Sequence, residues 1–190
     1  MERKIKRDKG MKEYEVKRLI SKNTYCNLRK AQEWDSSTLQ VNYYYSNSII
    51  LNKQNNITIR IRSIKNYMTL QIKEVIEDRN GLRICEEHEK RLFSIPSIIP
   101  QDVIRELSEA YSLGDVYLQG FMVTERMRRK VGEIEIALDR NFYNGQIDYE
   151  IELEGENYLS TKELLRIMGL ESHEKNVQSK FSRFRTYMNI

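Results

Sequence analysis

Apolar and polar side chains alternate along much of this chain, and a period of two is the spacing of a strand whose faces meet different surroundings. Residues 12–20 set Glu13, Glu15 and Lys17 on one side and Tyr14, Val16 and Arg18 on the other. The same pattern predicts strands over about 40–45, 57–64, 68–75, 82–92, 116–130, 133–139 and 146–154. Asn52, Asn55, Asn56, Asn66 and the Asn80-Gly81 pair mark turns between them, and Asn144-Gly145 is a strong hairpin signal. Helical spacing of Tyr25, Leu28, Ala31 and Gln32 predicts a helix over 21–34. Others are expected over 101–111, behind Pro96 and Pro100, over 161–168, capped by Ser160 and stopped by Gly169, and over 177–188. No repeat or linker divides the chain, so residues 1–190 read as one α+β domain built on eight largely antiparallel strands. Residues 1–11 are expected to be a flexible basic tail.

The two faces of these strands differ in kind. One is apolar: Ile57, Ile59 and Ile61, then Met68, Leu70 and Ile72, then Ile134, Ile136 and Leu138, then Tyr149, Ile151 and Leu153. The other carries Arg60 and Arg62, Thr69, Gln71 and Lys73, Thr124 and Arg126, Glu135 and Asp139, and Glu150 and Glu152. An ordinary sheet with one face in water explains any single strand. It explains the set less well, because acids gather on the first and last strands and bases on the middle ones. If the sheet closes, these groups converge on one cavity. Clustered carboxylates repel by roughly 4 kcal/mol per pair at about 4 Å and an effective dielectric of about 20, which calls for a cation. Oxygen-only ligation points to Mg2+ or Mn2+, and grouped Arg and Lys suit a chain of phosphates.

Composition narrows the picture. At 32% charged and 39% hydrophobic, the chain is ionic yet apolar enough for a soluble domain with a core. A net charge of only +4 argues against a dedicated nucleic-acid binder. No run approaches the ~20 apolar residues that span a bilayer, so no membrane partner is expected and the cytoplasm is the expected location. Cys26 and Cys85 fit no metal or redox spacing and read as reduced thiols. His88 and His173 read as incidental, and no Walker-type glycine loop is present.

Several segments resemble one family. Glu13-Tyr14-Glu15-Val16-Lys17 has the ExExK form that opens CYTH proteins, also called triphosphate tunnel metalloenzymes. In the family's order, residues 40–45 (QVNYYY) resemble its NYYFDT-type strand, 58–62 (TIRIR) its LRIR strand and 69–73 (TLQIK) its TLK strand. Thr124-Glu125-Arg126, Leu138-Asp139, residues 148–152 (DYEIE) and 179–184 (SKFSRF) resemble its later elements, including the terminal SK-x-x-RF helix. The similarity covers nearly the whole chain and is greatest to short bacterial single-domain members. It implies an eight-stranded antiparallel tunnel with helices packed outside and metal-dependent hydrolysis of an inorganic or organic triphosphate, as monomer or homodimer.

By position, the resemblance implies metal ligation by Glu13, Glu15, Asp139, Glu150 and Glu152, and phosphate binding by Lys17, Arg60, Arg62, Lys73, Arg126 and Lys180. Lys17, Glu150 and Glu152 take catalytic roles. Tyr44, Arg83, Glu87, Glu89, Glu135 and Arg183 are further lumen candidates. Ser46 stands where the family commonly has aspartate. In the fifth strand, simple alternation turns Arg83, Glu87 and Glu89 inward, whereas a bulge before Glu86 would bring in Glu86 and His88 instead. A cyclase making cyclic AMP, a non-catalytic polyphosphate or nucleotide binder, and an unrelated sheet with a solvated charged face are the alternatives.

Overall fold

A computed structural model describes residues 11–52, 56–79, 82–155, 158–170 and 178–188. In chain order the elements are β1 (Met11–Leu19), α1 (Lys22–Ala31), β2 (Ser36–Ser46), α2 (Ser48–Asn52), β3 (Ile57–Ile64), β4 (Tyr67–Arg79) and β5 (Leu82–Leu92). Then come β6 (Ile98–Ile99), α3 (Gln101–Leu107), β7 (Val116–Val131), β8 (Ile134–Tyr143), β9 (Gln146–Gly155), α4 (Tyr158–Ile167) and α5 (Lys180–Met188).

Hydrogen bonding runs β2-β3-β4-β5-β1-β9-β8-β7, and β7 returns to β2 from Ser36↔Arg128 to Ser46↔Tyr117. Every pairing is antiparallel, so the eight long strands form a closed barrel without free edges. The two-residue β6 is an extra strand on β7. Tight turns hold the register: Asn144 and Gly145 take φ of +44° and +74°, the left-handed pair that a two-residue hairpin needs. Asn80-Gly81 lies outside the described residues.

The apolar rows face outward. Ile57, Ile59, Ile61, Leu70 and Ile72 are buried with Ile50, Ile99, Ile104 and Leu113 from α2, β6, α3 and the loop behind it. Val16, Ile134, Ile136, Leu138, Ile151 and Leu153 pack with Tyr25 of α1 and Leu165 of α4. Each such side chain contributes roughly 1.5–3 kcal/mol, so two outer cores hold the barrel and leave its lumen free for polar groups. α5 lies against one end of the lumen, with Phe181 and Phe184 buried against Tyr44, Met122 and Tyr143. Ser179 caps it by accepting from the Ser182 amide at 3.0 Å. The approach is close enough that a Cβ on Gly120, whose φ is +149°, would meet Phe184 Cζ at 2.8 Å.

Local expectations change in places. α4 starts at Tyr158, so Ser160 lies inside its first turn and is not its cap. α1 ends at Ala31, where Gln32 turns extended. α3 ends at Leu107, and Tyr111 leaves the helix to fill the outer core. The one-turn α2, started by Asn47 accepting from the Ile50 amide at 3.1 Å, is too short to show periodicity. Residues 1–10, Val177 and His173 lie outside the described residues, and Met11 already belongs to β1. No described helix is long and apolar enough to cross a membrane.

Candidate active site

Alternation that sends apolar rows outward sends charge inward, and most of the inward groups line one cavity of ≈ 340 Å³. On its acidic side β8 and β9 build a carboxylate cluster that meets the cavity through Glu152. Oxygens of Asp139, Glu150 and Glu152, all buried, lie within 4.8 Å of one another. Lys180 reaches among them from α5, 2.8 Å from Asp139 and 2.7 Å from Glu152, and also contacts Glu150. Arg126 binds Asp139 through two nitrogens at 2.7 and 2.6 Å and contacts Glu152. Arg183 bonds Asp148 at 2.9 Å and contacts Glu150.

A chain of ion pairs leads from this wall to the basic side. Lys17 bridges Glu152 at 2.7 Å and Glu15 at 2.8 Å; Lys73 joins Glu15 at 2.7 Å to Glu87 at 3.0 Å. Burial alone would raise the Glu15 carboxyl, but Lys17 and Lys73 outweigh it and hold Glu15 well below the usual carboxylate range. Burial also opposes the charge on Lys73, yet Glu15 and Glu87 lift its ammonium well above the lysine range. Farther along, Arg60 donates to Gln71 at 2.9 Å and Gln71 to Glu89 at 3.1 Å.

Arg62 breaks the pattern of matched charge. It donates to the neutral Asn42 at 3.1 Å and pairs with no carboxylate among the described residues. Burial, with Arg60 and Arg126 nearby, pulls its guanidinium down to about 9. A half-buried cation without a carboxylate partner offers its charge to an anion in the cavity.

The cavity thus brings together Glu15, Lys17, Arg60, Arg62, Lys73, Arg126, Glu152 and Lys180, with Tyr44, Arg83, Glu87 and Glu135 also lining it; Asp139 and Glu150 lie behind Lys180, and Glu89 and Arg183 join the network without lining the cavity. Glu13 sits in β1 opposite Cys85, but its side chain lies outside the described residues. β5 follows simple alternation: Glu87 pairs across from Lys73 and Glu89 from Gln71, while His88 faces the outer Tyr111 ring at 5.8 Å. The bulge falls instead in β4, between Val75 and Glu77. Ser46 is fully buried and supplies no charge. Cys85 also lines the wall, its thiol pushed up to about 12 by burial.

Sequence reasoning passed over Arg128 and Glu154, both cavity-lining, although period two from Arg126 and from Glu152 would have found them. Burial and the neighbouring Glu152 push the Glu154 carboxyl up to about 7 against the pull of Lys73. The folded chain therefore keeps a proton that the unfolded chain releases at lower pH, and ionisation above that value costs stability. Glu154→Gln is expected to melt higher than the parent near about pH 8 and to converge with it near about pH 5, as read by thermal denaturation at both pH values.

The donor set suits a metal. An ammonium already sits among three carboxylates, so the place accepts positive charge, and oxygen-only ligands favour a hard divalent ion.

A closed antiparallel tunnel with an acidic wall and a basic wall is thus the class that fold and site define. The chain belongs to the CYTH family, whose domain model matches residues 11–187. No curated protein matches the sequence. Among solved structures, a Bacillus halodurans protein assigned as an adenylate cyclase is 25% identical, with a TM-score of 0.68 over 90% of this chain and 95% of its own. HpAC1 from Hippeastrum, assigned as an adenylyl cyclase and described with a dominant triphosphatase activity, is 23% identical, with a TM-score of 0.71 over 92% and 95%. PH1012 from Pyrococcus horikoshii is 16% identical, with a TM-score of 0.59 over 87% and 96%.

Proposed function

We propose that this chain hydrolyses the phosphoanhydride bond of a small-molecule triphosphate inside its tunnel, with Mg2+ or Mn2+ as cofactor. One observation carries the reading: a buried carboxylate cluster reaches, through Glu152, the same cavity that Arg62 lines without a carboxylate partner among the described residues. Glu13, Glu15, Asp139, Glu150 and Glu152 are the proposed metal ligands. When bound, the cation would neutralise phosphate charge and acidify water. Arg60, Arg62, Lys73, Arg126 and Lys180 hold phosphate oxygens in an extended line, and the ion pairs fix these long side chains before substrate arrives. Glu150 and Glu152 accept the proton of the attacking water, while Lys17, held between Glu15 and Glu152, stabilises charge on the leaving phosphate.

The triphosphatase activity described for HpAC1 favours hydrolysis over cyclisation. Tripolyphosphate, thiamine triphosphate and ATP, each incubated with Mg2+ and with Mn2+, test the reading. Orthophosphate release from at least one, abolished by chelator, is expected. Cyclic AMP with pyrophosphate as the main product from ATP would overturn it, as would binding without turnover of any of the three.

A further inference from the structure

Alone among the eight barrel strands, β2 contains no Asp, Glu, Lys or Arg. It lies between β3 and β7, which send Arg60, Arg62 and Arg126 into the lumen. Its own inward row runs Gln40, Asn42, Tyr44 and Ser46, all fully buried. Arg126 finds Asp139 and Glu152 on its other side. Arg62 has only the neutral strand to turn to, and there it meets Asn42.

The two arginines of β3 are held alike and balanced differently. Arg60 donates from Nε to Gln71 Oε1 at 2.9 Å, and the other end of that amide donates to Glu89 at 3.1 Å. Arg62 donates from Nε to Asn42 Oδ1 at 3.1 Å, directly across the β2–β3 ladder. The Asn42 amide nitrogen is buried and finds no acceptor among the described residues. A buried N–H without an acceptor costs stability. An aspartate of the same shape would accept the same bond, have no N–H to orphan, and balance the guanidinium. With Arg60 and Arg126 also close, folding alone favours the acid at this position. We propose that Asn42 is a positioning residue: its side-chain oxygen fixes the Arg62 guanidinium, and its neutrality leaves that charge for the phosphates of the substrate. The consequence for turnover rests on the triphosphate reading above, whereas the charge balance can be measured without any substrate.

Asn42→Asp in the full chain tests this, because it keeps the oxygen and adds the charge. Without ligand, near about pH 7.5, the variant is expected to melt at least about 2 °C above the parent. In an Arg62→Ala background the same substitution buries a carboxylate whose partner has gone, and the rise is expected to disappear. With Mg2+, kcat/KM is then measured on whichever of tripolyphosphate, thiamine triphosphate and ATP the parent turns over fastest. It is expected to fall at least about tenfold in Asn42→Asp. A gain in stability joined to a loss of turnover is not what a merely structural residue gives. A variant that melts no higher than the parent would overturn the proposal, as would a rise that persists without Arg62. So would unchanged kcat/KM in a variant that does melt higher. A parent that turns over none of the three would instead sink the triphosphate reading, and the paired melts would still decide whether Asn42 keeps Arg62 unbalanced.

Discussion

Arg62→Ala is expected to lose triphosphate turnover by a factor of about 10²–10³, the usual cost of one preorganised charge donor, while the folded state melts no lower than the parent. The two halves of that result come from one fact. Arg62 is half-buried in the basic wall without a carboxylate partner among the described residues, so its charge is held against the preference of the fold. Removing it relieves desolvation and breaks only the bond to Asn42. Adding tripolyphosphate to the parent supplies the missing counter-charge and should raise its melting temperature; the variant should show a much smaller rise. A substitution that lowered stability and activity together would assign Arg62 to the scaffold.

Glu152→Gln should behave in the opposite way on stability. Lys17, Lys180 and Arg126 all converge on this carboxylate. Neutralising it leaves three buried cations with fewer counter-charges, a change worth roughly 3–5 kcal/mol of lost stability when one partner of a buried pair is removed. Turnover should fall by at least about 10²-fold. Pairing it with Lys180→Met should recover much of the stability and none of the activity. The acid limb offers a separate check. Burial would raise the Glu152 carboxyl, but Lys17 and Arg126 prevail and hold it at about 2, against an ordinary value of 4.5. A depressed carboxyl contributes stability above its unfolded value that is lost as pH falls toward the folded one. Denaturation of the parent should therefore steepen between those two pH values, and the variant should lose that part of the slope.

Alternation made the lumen readable. Arg60 and Arg62, Lys73, Arg126, Asp139, Glu150 and Glu152 share a face for the same reason that Ile59, Leu70, Leu138 and Ile151 share the other, and a two-residue period states both at once. Two kinds of information were not local. The seam between β2 and β7 joins residues far apart in sequence, such as Thr38 and Arg126, so closure itself could only be expected from the sorting of charge. Matching was hidden as well: the strand pattern puts Arg62 beside Arg60, but only the folded register shows that Arg60 finds Glu87 and Gln71 whereas Arg62 finds Asn42. Helix limits failed where capping competes with packing, as at Ser160 and Tyr111.

The aromatic packing of α5, with Phe184 pressed against Gly120, holds Lys180 and Arg183 on one rigid turn. Lifting that helix off the barrel would withdraw one cation from Asp139, Glu150 and Glu152 and another from Asp148 and Glu150 in a single movement.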